Sequence, residues 1–321
     1  MKGTNRLNRL LSGAIVAASV LVAAPLALAQ DYPEKPVEFI VPWSPGGGSD
    51  TLMRIISNNI EPYLGEPMPI INMPGVSGTV GLKEASERAA DGYTVSQVHE
   101  GLLTAGATGI TELQWSDFDQ VALMTASPQF VVTNAERPYE TFEQFIAYAK
   151  ENPGGVRFGV TLGGVPHLHA AMIEDAYDVE FAYVGYEGTG ERIRALVGGN
   201  LDAAIGDVSS SGQFVETGDL RFLAVGSAER FAETPDVPTL AELGADLELL
   251  VTRGLVVPSG TPGEVKAVLE NALAELAEDE AFTTQVNNAG ATVSFRGQQD
   301  YADYLGELAG TIDRLADRMA P

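Results

Sequence analysis

The sequence predicts an α/β protein of two lobes, each a mostly parallel sheet flanked by helices. Short runs rich in β-branched and aromatic residues alternate with amphipathic helical stretches, the order that places helices on the faces of parallel strands. The runs are also too many for one comfortable sheet, so two lobes fit the chain better.

The first segment is a targeting element. Lys2, Arg6 and Arg9 precede an apolar run from Leu10 to Leu28 that closes on Ala27-Leu28-Ala29, the three regions of a secretory signal. Residues 1–29 are expected to be cleaved near Ala29, leaving the mature chain in the periplasm; a retained anchor is the minority alternative. No cysteine stands at the cleavage site, which excludes a lipoprotein anchor. No later apolar run is long enough to cross a bilayer. An exported chain without cysteine needs no disulfides, which fits a protein large enough to bury a real core.

The strands read in order as Val37–Val41, Met68–Ile71, Tyr93–Val98, Val121–Met124, Phe130–Thr133, Arg157–Val160, Phe181–Val184, Ala203–Ile205, Arg221–Val225 and Leu249–Val257. Between them lie helical stretches such as Thr51–Tyr63, Phe142–Lys150, Leu168–Tyr177, Arg192–Val197 and Pro262–Leu276. In the first of these, Leu52, Ile55, Ile56, Ile60 and Leu64 recur on one face at helical spacing. There is no internal repeat or low-complexity tract.

Charge narrows the partners. The chain has 19 Lys+Arg against 44 Asp+Glu, a net charge of −25, and loss of the three basic residues of the signal takes it to −28. Such a surface repels nucleic acid and anionic membranes. It also repels anions in general, yet screening limits the reach of surface charge to about 8 Å at physiological ionic strength, so backbone donors still win inside a cleft. Scarce lysine suggests a salt-adapted host, with acidic drift as the alternative.

Ligands of such sheets bind at the carboxyl ends of the strands. Four loops qualify: Pro42–Asp50, containing the run PGGGSD; His99–Ala105; Leu162–His167; and Gly206–Gly212. The first and third are glycine-rich and each enters a helix, so two helix N-termini face one cleft. Catalytic readings are weak. PGGGSD lacks the Lys-Ser/Thr of a phosphate-binding loop and the spacing of a dinucleotide site, and no nucleophile elbow occurs. His167 and His169 are two apart and point to different faces of a helix start, so neither a metal nor any other cofactor is expected. Ser209, Ser210 and Ser211 read as a cap or turn, with an exported serine hydrolase using His167 as the rival.

The runs DYPEKPVEFIVPWSPGGGSDTLMRII, INMPGVSGTVG, ADGYTV, VPHL, YVGYEGTG, LVGGNLDAAIGD, GDLRFLAVGSAERF, TPDVPTLAELG and VVPSGTP together resemble the exported receptors of tripartite tricarboxylate transporters, the TctC-like or Bug family. The resemblance covers essentially the whole mature chain. It implies a non-enzymatic periplasmic binding protein of the type with two chain crossings, a monomer that closes on a small carboxylate and delivers it to membrane permease subunits. A partner role to a sensor kinase is the alternative use of the same fold. Lobe 1 is then residues 30–127 and 252–321, and lobe 2 is residues 128–251. The resemblance further implies that backbone groups and bridging waters of the two glycine-rich loops hold the carboxylate. That assigns Trp43, Ser44, Pro45, Gly46, Gly47, Gly48, Ser49, Asp50, Glu100, Gly101, Gly163, Gly164, Val165, His167, Tyr186, Asp207 and Arg253 to the ligand site.

Individual residues qualify this picture. Asp50 competes with a bound carboxylate and is expected to cap its own helix, satisfying donors in Thr51–Arg54 while residues 44–49 face the ligand. Gly163-Gly164-Val165 stands where many relatives carry small hydroxylated residues, and His99-Glu100-Gly101 replaces a more usual hydroxyl/amide segment. Glu100 would repel a second carboxylate and accept an ammonium or hydroxyl; the alternative is a side chain that faces solvent or pairs with Arg253. Arg253 is the best cation for a distal carboxylate, with an ordinary surface arginine as the alternative. Trp43 and Tyr186 either wall the cleft or pack in the core.

If the acidity is a salt adaptation, added salt stabilises the folded chain by screening its self-repulsion. The melting temperature is expected to rise from low to molar NaCl, with KCl as the control for specific ion effects. A flat or falling curve removes the idea.

Overall fold

Two sheets form because the chain passes twice between the regions where its β-rich runs can pair. The computed structural model describes residues 32–319 apart from Ser44, Gly47 and Glu187. The expected signal segment 1–29 lies outside the described residues, and the fold that follows belongs to the unit Pro33–Pro321.

In chain order the elements are β1 (Glu38–Val41), α1 (Gly48–Asn59), α2 (Glu61–Leu64), β2 (Ile70–Asn72), α3 (Thr79–Ser86), β3 (Thr94–Val98), α4 (Gly101–Ala107), β4 (Phe118–Pro128), β5 (Phe130–Asn134), α5 (Phe142–Glu151), β6 (Val156–Val160), α6 (Val165–Tyr177), β7 (Phe181–Gly185), α7 (Thr189–Val197), β8 (Ala203–Gly206), α8 (Val208–Glu216), β9 (Leu220–Val225), β10 (Leu250–Pro258), α9 (Gly263–Ala277), α10 (Glu280–Asn288), β11 (Thr292–Arg296) and α11 (Gln298–Met319). One sheet has the order β11-β4-β10-β3-β1-β2 and the other β7-β6-β8-β5-β9.

Each sheet has the expected parallel part, β3-β1-β2 in the first and β7-β6-β8 in the second. Each sheet also carries antiparallel pairs beside this parallel part. A strand that enters from the other lobe runs against its new neighbours, so β10 is antiparallel to β3 and β4, and β5 is antiparallel to β8 and β9. The edge strand β11 escaped the sequence reading because its residues are half-buried or exposed and give no apolar run.

The crossings lie side by side. Gln129 alone separates β4 from β5; its N–H donates to the Leu249 carbonyl at 2.8 Å, and its carbonyl accepts from Gly226 N–H at 2.9 Å. Leu249 N–H in turn donates to the Gly226 carbonyl at 2.8 Å. Beyond this link β10 pairs with the whole of β4, from Leu250 opposite Pro128 to Pro258 opposite Phe118.

Alternation along the strands sorts the cores. In β5, Val131 joins a cluster with Phe142, Phe145, Phe158 and Phe181, whereas Phe130 and Val132 face Ile193 and Leu196 on the other side of the sheet. The apolar stripe of α11 (Tyr301, Leu305, Ile312, Leu315 and Met319) fills the core of the first sheet beside Ile40, Val98 and Val256. Leu168 and Ala171 of α6 enter that same cluster, so a helix from between β6 and β7 is packed into the core of the other sheet. Arg314 with Asp175, and Arg318 with Glu174, add ion pairs between α11 and α6.

Gly254 of β10 is required where it stands, because a Cβ there would lie 2.3 Å from Cζ of the fully buried Tyr301. Gly254→Ala is expected to cost about 1–3 kcal/mol by overpacking, read as a lower urea midpoint. Gly263→Ala at the start of α9, where nothing lies within 4 Å of a new Cβ, is the control expected to stay within about 0.5 kcal/mol. Equal effects at the two positions contradict the packing account.

Candidate functional site

The chain leaves β1 through Pro42 and turns at Gly46, whose φ of +81° suits glycine. Asp50 fixes this loop from inside. Its carboxylate accepts from Gly46 N–H at 2.8 Å, Arg54 Nε at 2.9 Å and Asn72 Nδ2 at 2.8 Å, and the residue is buried. It is therefore not the cap of its own helix, which starts at Gly48; it ties the loop to α1 and β2 instead. Burial alone would raise its pKa, but the hydrogen bonds from Arg54, Gly46 and Asn72 outweigh it and hold the carboxyl below its ordinary value. Pro45, Gly46 and Gly48 are exposed and Ser49 is half-buried. Ser44 and Gly47 lie outside the described residues. The half-buried Trp43 stacks on His99 with ring centroids 4.5 Å apart, and its benzo ring lies so close to Gly78 that a Cβ there would be 2.9 Å from Trp43 Cζ2.

Arg253 of β10 is the charge at this loop. It is 7 % exposed, and its Nε donates to Ser49 Oγ at 3.0 Å. One terminal nitrogen donates to Ser127 Oγ at 2.9 Å and to the Val251 carbonyl at 3.1 Å. Among the described residues no carboxylate reaches ion-pair distance of it, and burial pulls its pKa down to about 10, still cationic at neutral pH. Register puts Thr125 opposite Arg253 and Gln97 opposite Leu255, on the same face of the sheet. Both are fully buried, and the Thr125 hydroxyl and both ends of the Gln97 amide lack a hydrogen-bond partner among the described residues. A water or another polar molecule can complete the bonding of such groups.

Glu100 faces neither solvent nor an ion pair. It is buried on the other side of β10, where one oxygen accepts from Thr252 N–H at 2.8 Å, Thr252 Oγ1 at 2.5 Å and Tyr304 hydroxyl at 3.1 Å. Its second oxygen has no partner. Burial raises its pKa against the pull of the Thr252 bonds and the Arg253 charge. Gly101 starts α4, with its N–H on His99 Nδ1 at 2.7 Å and no room for a Cβ beside that ring.

From the second sheet, the loop after β6 reaches across to the first. A Cβ on Gly163 would lie 3.2 Å from Thr108 Oγ1, just beyond α4, and Gly163 takes a φ of +68°. Its N–H donates to His167 Nδ1 at 3.1 Å; Gly164 and the buried Val165 then lead into α6. His167 is buried edge-on against Tyr183, its Nε2 has no partner, and burial lowers its pKa, so the imidazole is neutral. His169 is held apart from it by a hydrogen bond to the backbone of Leu250, and the described residues contain no metal-binding cluster. Tyr186 packs against the apolar cluster of Phe130 and Ile193.

Asp207 caps α8 by accepting from Ser210 N–H at 2.8 Å and Ser209 hydroxyl at 2.7 Å. Ser210 hydroxyl bonds back to Asp207, and Ser211 is buried beside it. The serine cluster is therefore a capping box, and none of its recorded bonds reaches a histidine. Sequence reasoning passed over Arg192 of α7. It is 1 % exposed and bonds to the Ile205 carbonyl, Thr161 Oγ1 and Thr189 Oγ1 at 3.1–3.2 Å. Its neighbours Glu191 and Arg194 gave no signal of burial in the sequence.

The raised pKa of Glu100 has a measurable sign. An acid whose folded pKa lies above its unfolded value of about 4.5 costs stability as pH rises from that value through the folded one. Glu100→Gln keeps the accepting oxygen and removes the titration. Its stability relative to the wild type is expected to rise with pH from 4.5 upward, read by urea unfolding at a series of pH values. A difference that does not change with pH contradicts this account of Glu100.

Known proteins resemble this chain over most of its length. A TctC solute binding protein from Polaromonas has the same fold with a TM-score of 0.79 and 29% identity, over 89% of this chain and 99% of that one. MatC from Rhodopseudomonas palustris, with bound malate, gives a TM-score of 0.72 and 26% identity over 89% of this chain and 100% of that one. Protein BugT of Bordetella pertussis is 29% identical over 285 residues, 87% of each chain. The sequence profile of the tripartite tricarboxylate transporter family receptor matches residues 52–319. The chain belongs to that receptor family, whose members bind solutes and are not enzymes.

Proposed function

We propose that this receptor works in the periplasm as a monomer, capturing a small carboxylate between residues 30–127 with 252–321 and residues 128–251, and delivering it to the permease subunits of a tripartite tricarboxylate-type transporter. The observation that carries the reading is Arg253, a buried guanidinium beside the N-terminus of α1 with no carboxylate at ion-pair distance among the described residues. A buried cation without an ion-pair partner is costly, and a ligand carboxylate lowers that cost while meeting the helix dipole. The unpartnered Gln97 and Thr125 on the same face support it. So does the malate bound to the structural relative MatC. Ligand held from both sides stabilises the closed form by its differential affinity, and the closed form presents the surface that the permease reads.

The test is calorimetry with a panel of small carboxylates on the wild type, Arg253→Gln and Arg253→Lys, with circular dichroism to confirm folding. Loss of hydrogen bonds to a charged group is expected to weaken binding about 10- to 100-fold in Arg253→Gln, with partial recovery in Arg253→Lys. Native mass spectrometry of gently purified protein identifies the acid. Unchanged binding in a folded Arg253→Gln protein moves the site elsewhere, and permease-dependent uptake that does not need this protein removes the transport role.

A further inference from the structure

One peptide group of β10 joins Arg253 to Glu100. The Val251 carbonyl accepts from an Arg253 terminal nitrogen at 3.1 Å, and Thr252 N–H, the other end of the same peptide unit, donates to Glu100 Oε1 at 2.8 Å. A cation at the oxygen end and an acid at the N–H end polarise that unit in the same sense, so each bond strengthens the other. Glu100 is 2 % exposed, and its two oxygens are treated unequally. Oε1 collects three donors, Thr252 N–H, Thr252 hydroxyl and Tyr304 hydroxyl, whereas Oε2 has no partner among the described residues. A carboxyl held in this way has one oxygen committed to accepting and one left to carry a proton.

The other ionisable groups packed around Glu100 keep one charge state near neutral pH. Beside it in the chain, His99 is buried and its pKa is pushed down to about 3. On α11, burial moves the Tyr301 and Tyr304 hydroxyls upward, so both stay protonated. On β10, Arg253 stays cationic. On α6, which packs against α4, burial lowers His167 and takes His169 down to about 3, so both are neutral. Arg296 of β11 lies 4.7 Å from the centre of the Tyr304 ring, and Asp300, Asp303 and Glu307 of α11 line the same open cavity, where solvent screens them.

We propose that Glu100 is a proton site linked to the ligand site: a carboxylate that docks on Arg253 draws a proton from solvent onto the Glu100 carboxyl, so acid and proton bind together. The inference rests on the carboxylate-receptor reading above and deepens it. In the free protein the Arg253 charge favours the ionised form of Glu100 against burial. A ligand carboxylate on the guanidinium offsets that charge, and the desolvated acid then regains its proton. The complex thus holds more protons than the free protein, and affinity rises as pH falls through the interval between the free and bound pKa values of Glu100.

The experiment is calorimetry with malate, adipate and lactate at about pH 6, 7 and 8, where a carboxylic acid in water is ionised, on the wild type, Glu100→Gln and Tyr304→Phe. Each titration is run in two buffers of different ionisation heat, which counts the protons taken up. The wild type is expected to take up a fraction of one proton per acid bound, and to bind more tightly as pH falls by that same fraction of a tenfold change per pH unit. Glu100→Gln, uncharged at every pH, is expected to show no uptake and a flat profile, with an affinity at least that of the wild type at the lowest pH. Tyr304→Phe removes a donor to the ionised form and is expected to move the wild-type profile to higher pH; this variant decides the matter if Glu100→Gln does not fold. Binding by the wild type without proton uptake overturns the inference alone. So does uptake that persists in a folded Glu100→Gln protein, or a profile that Tyr304→Phe leaves in place. Failure of the wild type to bind any acid of the panel overturns the receptor reading itself.

Discussion

A cation taken out of water must be answered by charge or by a set of dipoles, and among the described residues Arg253 is hydrogen-bonded to two hydroxyls and a carbonyl. The rest of the molecule is organised so that this state is tolerable. Ser49 comes from the start of α1, Ser127 from β4 and Val251 from β10 itself, so the guanidinium holds together the loop after β1 and both crossing strands. Asp50 secures the same loop from below, with its negative charge already used by Arg54. Two anions thus avoid competing for one helix start: the protein's own is turned inward, and the helix end is left to whatever comes from outside.

The two faces of β10 meet an acid and a base one residue apart. Thr252 turns to Glu100 and the tyrosines of α11, while Arg253 turns to the α1 loop. Each strains its own protonation equilibrium, the acid upward and the base downward, and each eases the other across the strand. The strand that links the sheets is therefore polarised across its thickness, and it stays narrow at Gly254, where Tyr301 leaves no space for a side chain.

Much of this was legible in the sequence, for definite reasons. Apolar runs such as Phe130–Thr133 and Arg157–Val160 became β5 and β6 within a residue because buried strands need little else to specify them. The glycine run after Val41 and the Gly163-Gly164 pair before α6 announced their loops by composition alone. Partner choice was less legible. Asp50 looked like a cap because an acid near a helix start usually is one; only the fold brings Asn72 and Arg54 to it. Arg192 looked like one more charge on α7, and Gln97 like a polar residue in a strand, since burial of a side chain depends on what arrives from distant parts of the chain. Antiparallel pairing at the crossings was hidden for the same reason: it depends on which lobe a strand enters from.

The interleaving of the first sheet has a consequence for how the chain is made. Every strand of the second sheet, from β5 to β9, is contiguous in sequence, so that sheet can be completed while the remainder is still being synthesised or threaded through a membrane. The first sheet cannot. β4 waits for β10 and β11, and the core beneath it waits for α11, the last helix. Until then a long apolar strand stands with both edges open, the state most exposed to misassociation. The nascent protein thus matures from the middle outward, and a truncation that removes only α11 strikes the half that was begun first and finished last.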